Sequence, residues 1–263
     1  MELITSAQNG QLKQLGKLIQ SRRERSQTGL MVLDGTHLVA AWLDAGHALS
    51  LLVLSQSAQA SAEIVQLAQR ADCRTLLVPD ALFAKLSDLP SATGILALTA
   101  IPTTPAALSR GFVLALDGVQ DPGNVGAILR TAYAAGVEQV WLSAQCADIW
   151  SPKVLRAGMG AQAVLPCVTQ ADLPALVGAF DGSKVATLLD LGARDLYGND
   201  YRGSVLLMMG SEGAGLSAGL AGLATHKVLI PMQAGIESLN VGHATAICLY
   251  EMRRQRAWAG VYA

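Results

Sequence analysis

Short apolar runs and helical stretches alternate along almost the whole chain, and this alternation constrains the fold more than any other feature of the sequence. Neighbouring parallel strands need a long crossover between them, which is usually a helix, so the pattern reads as α/β with mainly parallel pairing. In the first hundred residues, strand-like runs fall at Leu30–Leu33, Leu51–Leu54, Leu76–Val78 and Ile95–Leu98, with helical stretches such as Thr36–Ala45 and Ala60–Arg70 between them. The segment IPTTPAALSR, residues 101–110, then brings two prolines, two threonines and no strong periodicity. Proline fixes φ and removes a backbone donor, which suits an extended connector. This gives a first domain over residues 1–100, a linker over 101–110 and a second domain over 111–263. In the second domain, strands are expected near Phe112–Leu116, Gln139–Leu142, Val164–Cys167, Val185–Leu189, Val205–Met209 and Lys227–Ile230, and a long helix runs from about Ser238 to Arg256.

With 263 residues, of which 51% are hydrophobic and 15% charged, the chain has material for two packed cores. No apolar run approaches the roughly 20 residues of a membrane span, and the opening MELITSAQNGQLKQ lacks the apolar stretch of a secretory signal. Cys73, Cys146, Cys167 and Cys248 are scattered with no CxxC pair, which argues against disulfides and against a metal site. The expected home is therefore the reducing cytoplasm. A net charge of −1 speaks mildly against a nucleic-acid partner. Charge is unevenly spread, however: Lys13, Lys17, Arg22, Arg23 and Arg25 are opposed only by Glu24, and Arg253, Arg254 and Arg256 form a second cluster. Taken alone, each run reads as a solvated helix face rather than a phosphate-binding one.

Three segments of the second domain each lie just after an expected strand, where open α/β sheets place ligands. The first is LDGVQDPGNVGAILRTAYAAG, residues 116–136. Asp121-Pro122-Gly123-Asn124 is turn chemistry, Asn124 falls at the loop-to-helix junction as a helix cap, and Arg130 lies about two turns into a helix running from Gly126 to Ala135. The second is VLLMMGSEGAGLS, residues 205–217, a strand, a glycine-rich loop and a helix in order. Gly213, Gly215 and Ala218 satisfy the loose dinucleotide pattern GxGxxA, but Glu212 would repel a pyrophosphate at the helix start. No acidic residue closes a strand about 20 residues later to hold a ribose, so a nicotinamide-dependent oxidoreductase is a remote reading. The third is LIPMQAGIESLNVGHATAICLYEMRR, residues 229–254, in which Pro231 ends a strand, Gly235 allows a turn, and Ser238 and Asn240 stand at the start of the last helix as capping residues. His243 reads as solvent-facing. HExxH, P-loop and CxxC signatures are absent.

Together the three segments resemble the three motifs of the SpoU-type RNA 2′-O-ribose methyltransferases of the SPOUT superfamily. DPGNVGAILRTA is similar to their first motif, MGSEGAGLS to their second and IPMQAGIESLNVGHATA to their third, and SPKVLRAGMGA (151–161) to the segment after the first. The likeness covers residues 112–256. LMVLDGTHLVAAWLDAG and TGILAL resemble a small ribosomal-protein-like RNA-binding domain often fused in front of such enzymes.

The resemblance implies a small N-terminal α/β/α substrate-binding domain and a C-terminal, mainly parallel-sheet domain with a deep trefoil knot. It implies methyl transfer from S-adenosylmethionine to a ribose 2′-hydroxyl of RNA, ribosomal RNA before transfer RNA. It also implies a homodimer with the RNA site built across both subunits. Carried over, the cofactor pocket uses Gly210, Ile230, Met232 and Leu239, and the catalytic set is Asn124, Arg130, Glu212, Ser238 and Asn240. A guanidinium with a pKa above roughly 12 is a poor base, so Arg130 is expected to lower the hydroxyl's pKa or to clamp a phosphate. Glu212 would fix Arg130 or Asn124, and Ser238 and Asn240 would position the ribose or shape the cofactor loop. The sequence departs from the family at Gly242-His243 after SLNV, at Gly158 in place of Ser, at Asp34 in place of Glu, and at Ser91-Ala92-Thr93 before Gly94. All five catalytic candidates are intact, which argues against the rival reading of a non-catalytic RNA-binding protein that keeps the fold.

Overall fold

A computed structural model of the chain describes residues 1–87, 89, 92–188, 192–236 and 238–257. It contains two units, one made of Met1–Thr103 with Asp148–Val164 and the other of Thr104–Ala147 with Leu165–Ala263.

The first unit is built on five strands, β1 (Glu2–Leu3), β2 (Leu30–Asp34), β3 (Leu49–Ser55), β4 (Arg74–Val78) and β5 (Ile95–Ala100), in the order β1-β4-β3-β5-β2. Its helices are α1 (Gly10–Gln20), α2 (Arg22–Thr28), α3 (Thr36–Asp44), α4 (Ala62–Ala71) and α5 (Asp80–Leu86). Successive strand residues point to opposite faces. Met31 and Leu33 of β2 and Ile95 and Ala97 of β5 therefore join a core with Val39 and Trp42 of α3 and Ile64 and Leu67 of α4. Val32, Leu96 and Leu98 join the opposite core with Leu12, Leu15 and Leu18 of α1 and Phe83 of α5. Buried on both sides, the strands are continuous apolar runs, and the unit is α/β/α in layers. In its sheet β5 runs antiparallel to both β3 and β2, the exception within the mainly parallel pairing expected. An apolar run reads the same in either direction, so its pattern carries no information about orientation.

The second unit opens with β6 (Phe112–Asp117), α6 (Pro122–Ala135) and β7 (Gln139–Leu142). The chain then adds α7 (Pro152–Gly158) to the first unit and returns for β8 (Cys167–Val168), α8 (Leu173–Ala179), β9 (Ser183–Thr187), β10 (Arg194–Asp195), β11 (Val205–Gly210), α9 (Ala218–Gly222), β12 (His226–Leu229) and α10 (Val241–Ala257). These strands form one sheet, β10-β12-β9-β11-β6-β7-β8, in which every described pairing is parallel. Val113 and Ala115 of β6 and Leu206 and Met208 of β11 pack on α8 and α9 through Leu173, Val177 and Leu220. The alternate residues Leu114, Leu116, Leu207 and Met209 are buried too, as are Ile128 and Leu129 of α6 and Leu249 and Met252 of α10. The strand expected at Val185–Leu189 lies two residues earlier, at Ser183–Thr187, and Leu189, like Ser91, falls outside the described residues.

Two expectations about organisation change. Residues 106–110 are not a free connector: buried Gln139 accepts from the Leu108 N–H at 2.9 Å and donates to the Ala106 carbonyl at 2.9 Å, and Leu108 packs on the core. The segment Asp148–Val164, read as part of the second domain, belongs to the first unit, where Leu155 and Ala163 enter the core beside Trp42. His47 Nε2 lies 2.7 Å from the Ala163 carbonyl oxygen. At the departure Gly158, a Cβ would meet the end of the Gln162 side chain, which would have to shift to admit it.

Each basic cluster gives part of its charge to the folded structure. Arg25 is 4% exposed, forms an ion pair with Asp148 at 2.7 Å, and donates to the carbonyls of Leu18 and Ile19. It cannot serve as an RNA contact, whereas Lys13, Lys17, Arg22 and Arg23 are exposed. At the other end of the chain, Arg254 pairs with buried Glu251 at 2.8 Å, and Arg256 lies over the Phe112 ring with its guanidinium carbon 4.9 Å from the centroid. Among the described residues, no helix is long and apolar enough to cross a membrane, and no cluster of His, Cys, Asp and Glu could hold a metal ion.

Candidate active site

The carboxyl ends of the parallel strands in the second unit open onto a pocket of about 530 Å³, within the range of small-molecule sites. Its walls come from the end of β9 (Thr187, Leu188), the end of β11 and its loop (Met209 to Leu216), β12 and the segment after it (Val228, Leu229, Ile230, Met232), and the start of α10 with the residues before it (Ser238, Leu239, Val241, Ala244). All four residues expected to bind the cofactor, Gly210, Ile230, Met232 and Leu239, line it, together with Glu212 and Ser238. The lining is mostly aliphatic, and Thr187, Ser211, Glu212, Ser238 and the loop backbone supply the polar groups. Such a surface suits a flat heterocycle and a short aliphatic chain, with backbone groups for orientation.

Gly210 shows why the pocket needs its glycine. A Cβ on Gly210 would stand 2.0 Å from the Gly215 carbonyl carbon and 2.1 Å from the Leu216 nitrogen. The loop folds back so closely onto the strand end that no side chain fits. It closes on itself through the Ser211 and Gly215 backbones, at 3.1 and 3.0 Å, and through the Ala214 N–H on Ser211 Oγ at 3.2 Å.

Helix α6 starts earlier than expected. The cap is Asp121, whose Oδ1 accepts from the Asn124 N–H at 2.7 Å, and Pro122 occupies the first turn. Aspartate at the cap followed by proline is a favourable start, because the missing proline N–H is one that the helix cannot use. Asn124 is therefore not the cap, and its side chain is free for other partners. Asn124 Nδ2 donates to Glu212 Oε1 at 2.7 Å, and its Oδ1 accepts from Asn240 Nδ2 at 3.0 Å. Asn240 Oδ1 in turn accepts from the Gly242 and His243 N–H groups at 2.9 and 3.3 Å, capping α10. A carboxylate that only accepts stands at one end of this chain and backbone N–H groups that only donate at the other, which fixes the orientation of both amides. One residue from each of the three motifs is thus joined in a single relay. Gly242, one of the departures from the family pattern, is part of it: a Cβ there would come within 3.1 Å of Asn240 Oδ1.

Arg130 stands apart. It is exposed on α6, does not line the pocket, and has no hydrogen bond or ion pair among the described residues. Of the two roles open to Glu212, the geometry supports the hold on Asn124. Thr187, Leu188, Val228, Val241 and Ala244 also shape the pocket without standing out in the sequence, since such residues at strand ends and on a helix resemble core residues there. The cysteines offer no nucleophile. Burial pushes the Cys167 and Cys248 thiols up to about 12 and raises those of Cys73 and Cys146, so thiolates are scarce at neutral pH.

Comparison with known proteins agrees with this geometry. The SpoU rRNA Methylase family matches residues 111–250, and an MRM3-like substrate binding domain matches residues 9–97. The chain is 37% identical to an uncharacterized tRNA/rRNA methyltransferase of Synechocystis, over 97% of this chain and 94% of that protein. It is 30% identical to the 23S rRNA (guanosine(2553)-2′-O)-methyltransferase of Bacillus subtilis, over 96% of this chain and all of that protein, 100%. Among solved structures, an AdoMet-bound rRNA methyltransferase from Sinorhizobium meliloti superimposes with a TM-score of 0.85 at 30% identity, covering 96% of this chain and 97% of that one.

Proposed function

This chain belongs to the SpoU rRNA methylase family, and from that premise we propose that it transfers a methyl group from S-adenosylmethionine to a ribose 2′-hydroxyl of ribosomal RNA. The observation that carries the proposal is the pocket that gathers Gly210, Ile230, Met232 and Leu239 around a glycine loop too tight for any Cβ, with Glu212 and Ser238 in its lining. Aliphatic walls and exposed loop backbone fit an adenosine and a methionine moiety.

S-adenosylmethionine supplies a methyl group already activated on a sulfonium. What the chain must supply is alignment, worth up to about 7–11 kcal/mol in favourable cases, and help with the hydroxyl proton. The Glu212–Asn124–Asn240 relay holds the second and third motifs in one arrangement at the pocket. Ser238 stands in the lining where the ribose would approach. Arg130 stabilises the alkoxide as it forms or clamps the adjoining phosphate, and with no partner among the described residues its guanidinium is available.

The remaining proposals follow from the same family. The first unit selects the RNA, the protein works in the cytoplasm, and the pocket segments that follow β11 and β12 form part of a trefoil knot. A homodimer is supported by Tyr133 of α6 and Tyr250 of α10, which are 52% and 51% exposed. The partner would then bring Arg130 to a pocket that its own chain leaves without it.

Incubating the protein with methyl-labelled S-adenosylmethionine and either ribosomal or transfer RNA, followed by digestion to nucleosides, tests the proposal. Label should appear in 2′-O-methyl nucleosides from ribosomal RNA. Label in a methylated base, or none at all, would overturn the proposed reaction; label confined to transfer RNA would overturn the substrate.

A further inference from the structure

We infer that Asp117 is a positioning residue for the cofactor, its carboxylate latching the rear of the 210–217 loop to the end of β6. The inference rests on reading the pocket as the S-adenosylmethionine site, and it concerns a residue outside the set that the family resemblance implies. Strands β6 and β11 run parallel with Asp117 opposite Gly210, so both strands end at the same level. There Asp117 Oδ2 accepts from the Ser217 N–H at 3.1 Å, across 100 residues of sequence. Ser217 opens α9, and its own side chain makes no capping bond. The front of the same loop is held by Glu212 on Asn124. Both outside tethers therefore come from one short stretch, Asp117 to Asn124, and the loop closes on itself between them.

The latch matters because the loop is a wall of the pocket. Gly210 through Leu216 all line it, and the contact of Gly210 with Gly215 and Leu216 leaves no slack at the strand end. A loop released at Ser217 would shift Leu216 and the backbone groups of that wall. Asn124 and Arg130 on α6, and Asn240 before α10, lie outside the loop and would stay in place. A hydrogen bond from a backbone N–H to a carboxylate is also stronger than one to a neutral acceptor.

The test compares wild type, Asp117→Ala and Asp117→Asn by titration with S-adenosylmethionine, steady-state kinetics and amide exchange at Ser217. Asp117→Ala should weaken cofactor binding and raise its KM by about tenfold, with kcat at saturating cofactor within about threefold of wild type. Asp117→Asn keeps an acceptor oxygen and should recover most of the loss. The Ser217 amide should exchange faster in Asp117→Ala even without cofactor. An unchanged KM, a loss confined to kcat, or unchanged exchange at Ser217 would overturn the latch. A wild-type protein that binds no S-adenosylmethionine would instead overturn the assignment of the pocket, and with it this role, while faster Ser217 exchange in the variant would still be seen.

Discussion

Helices α2 and α6 each carry an arginine that stands out in the sequence, and the structure uses the two in opposite ways. Arg25 of α2 is 4% exposed and bound to Asp148, Leu18 and Ile19. Arg130 of α6 is exposed, with no partner among the described residues. A buried guanidinium whose donors are met by fixed acceptors is committed to the folded state. An exposed one on the helix that carries a side-chain relay keeps its donors for a ligand. Arg25 stands in a basic run, a context that suggests solvent, and it is the buried one; Arg130 stands in a mostly apolar helix, and it is the exposed one. An arginine's role is set by what faces it rather than by its local charge density.

The largest expected effect is at Arg25. Removing one partner of a buried ion pair leaves the other charge uncompensated, so Arg25→Ala should destabilise the protein by about 3–5 kcal/mol, read as a lower urea midpoint. Arg25→Lys should restore only part of this, since the lysine ammonium lacks the planar fork that reaches Asp148 and two carbonyls at once. An Arg25→Ala protein of normal stability but weakened RNA binding would return this residue to the RNA surface. A smaller effect sharpens the contrast within the same helix. Arg22 and Arg23 are exposed, so replacing both with Ala should leave stability nearly unchanged and flatten the salt dependence of RNA binding, the slope falling by about 0.7 for each phosphate of single-stranded RNA that is no longer neutralised. An unchanged slope would make them a solvated face.

Much of the fold can be read from the pattern of the chain, and the exceptions have physical causes. Gln139–Leu142 is found as expected, and most other strands lie within two or three residues of their expected bounds, because runs such as Leu51–Leu54 are buried on both faces. The antiparallel run of β5 is invisible in the sequence, since strand direction is decided by connections rather than by hydrophobicity. The two-residue strands β1 and β10 are too short to show a period. The return of residues 148–164 to the first unit is made through long-range contacts, among them Arg25 meeting Asp148 across 123 positions, which no local signal announces. At the site, Asn124, Ser238 and Asn240 read by themselves as helix caps, and the set is legible only through the resemblance of the three motifs to those of the family. Thr187 and Ala244 are not, because nothing local separates them from core positions. Asn124 reads as the cap in place of Asp121, three residues earlier, since both are good capping residues and only the helix start decides between them.

We propose a division of labour in which the second and third motifs hold the cofactor and the first motif acts on the ribose through Arg130. Single-turnover methyl transfer and S-adenosylmethionine affinity, both measured on one Arg130→Ala preparation, decide it. Transfer should fall by about a hundredfold or more, equivalent to about 3–4 kcal/mol of transition-state stabilisation, with cofactor affinity close to wild type. Wild-type transfer, or a loss fully explained by failure to bind S-adenosylmethionine, would contradict it.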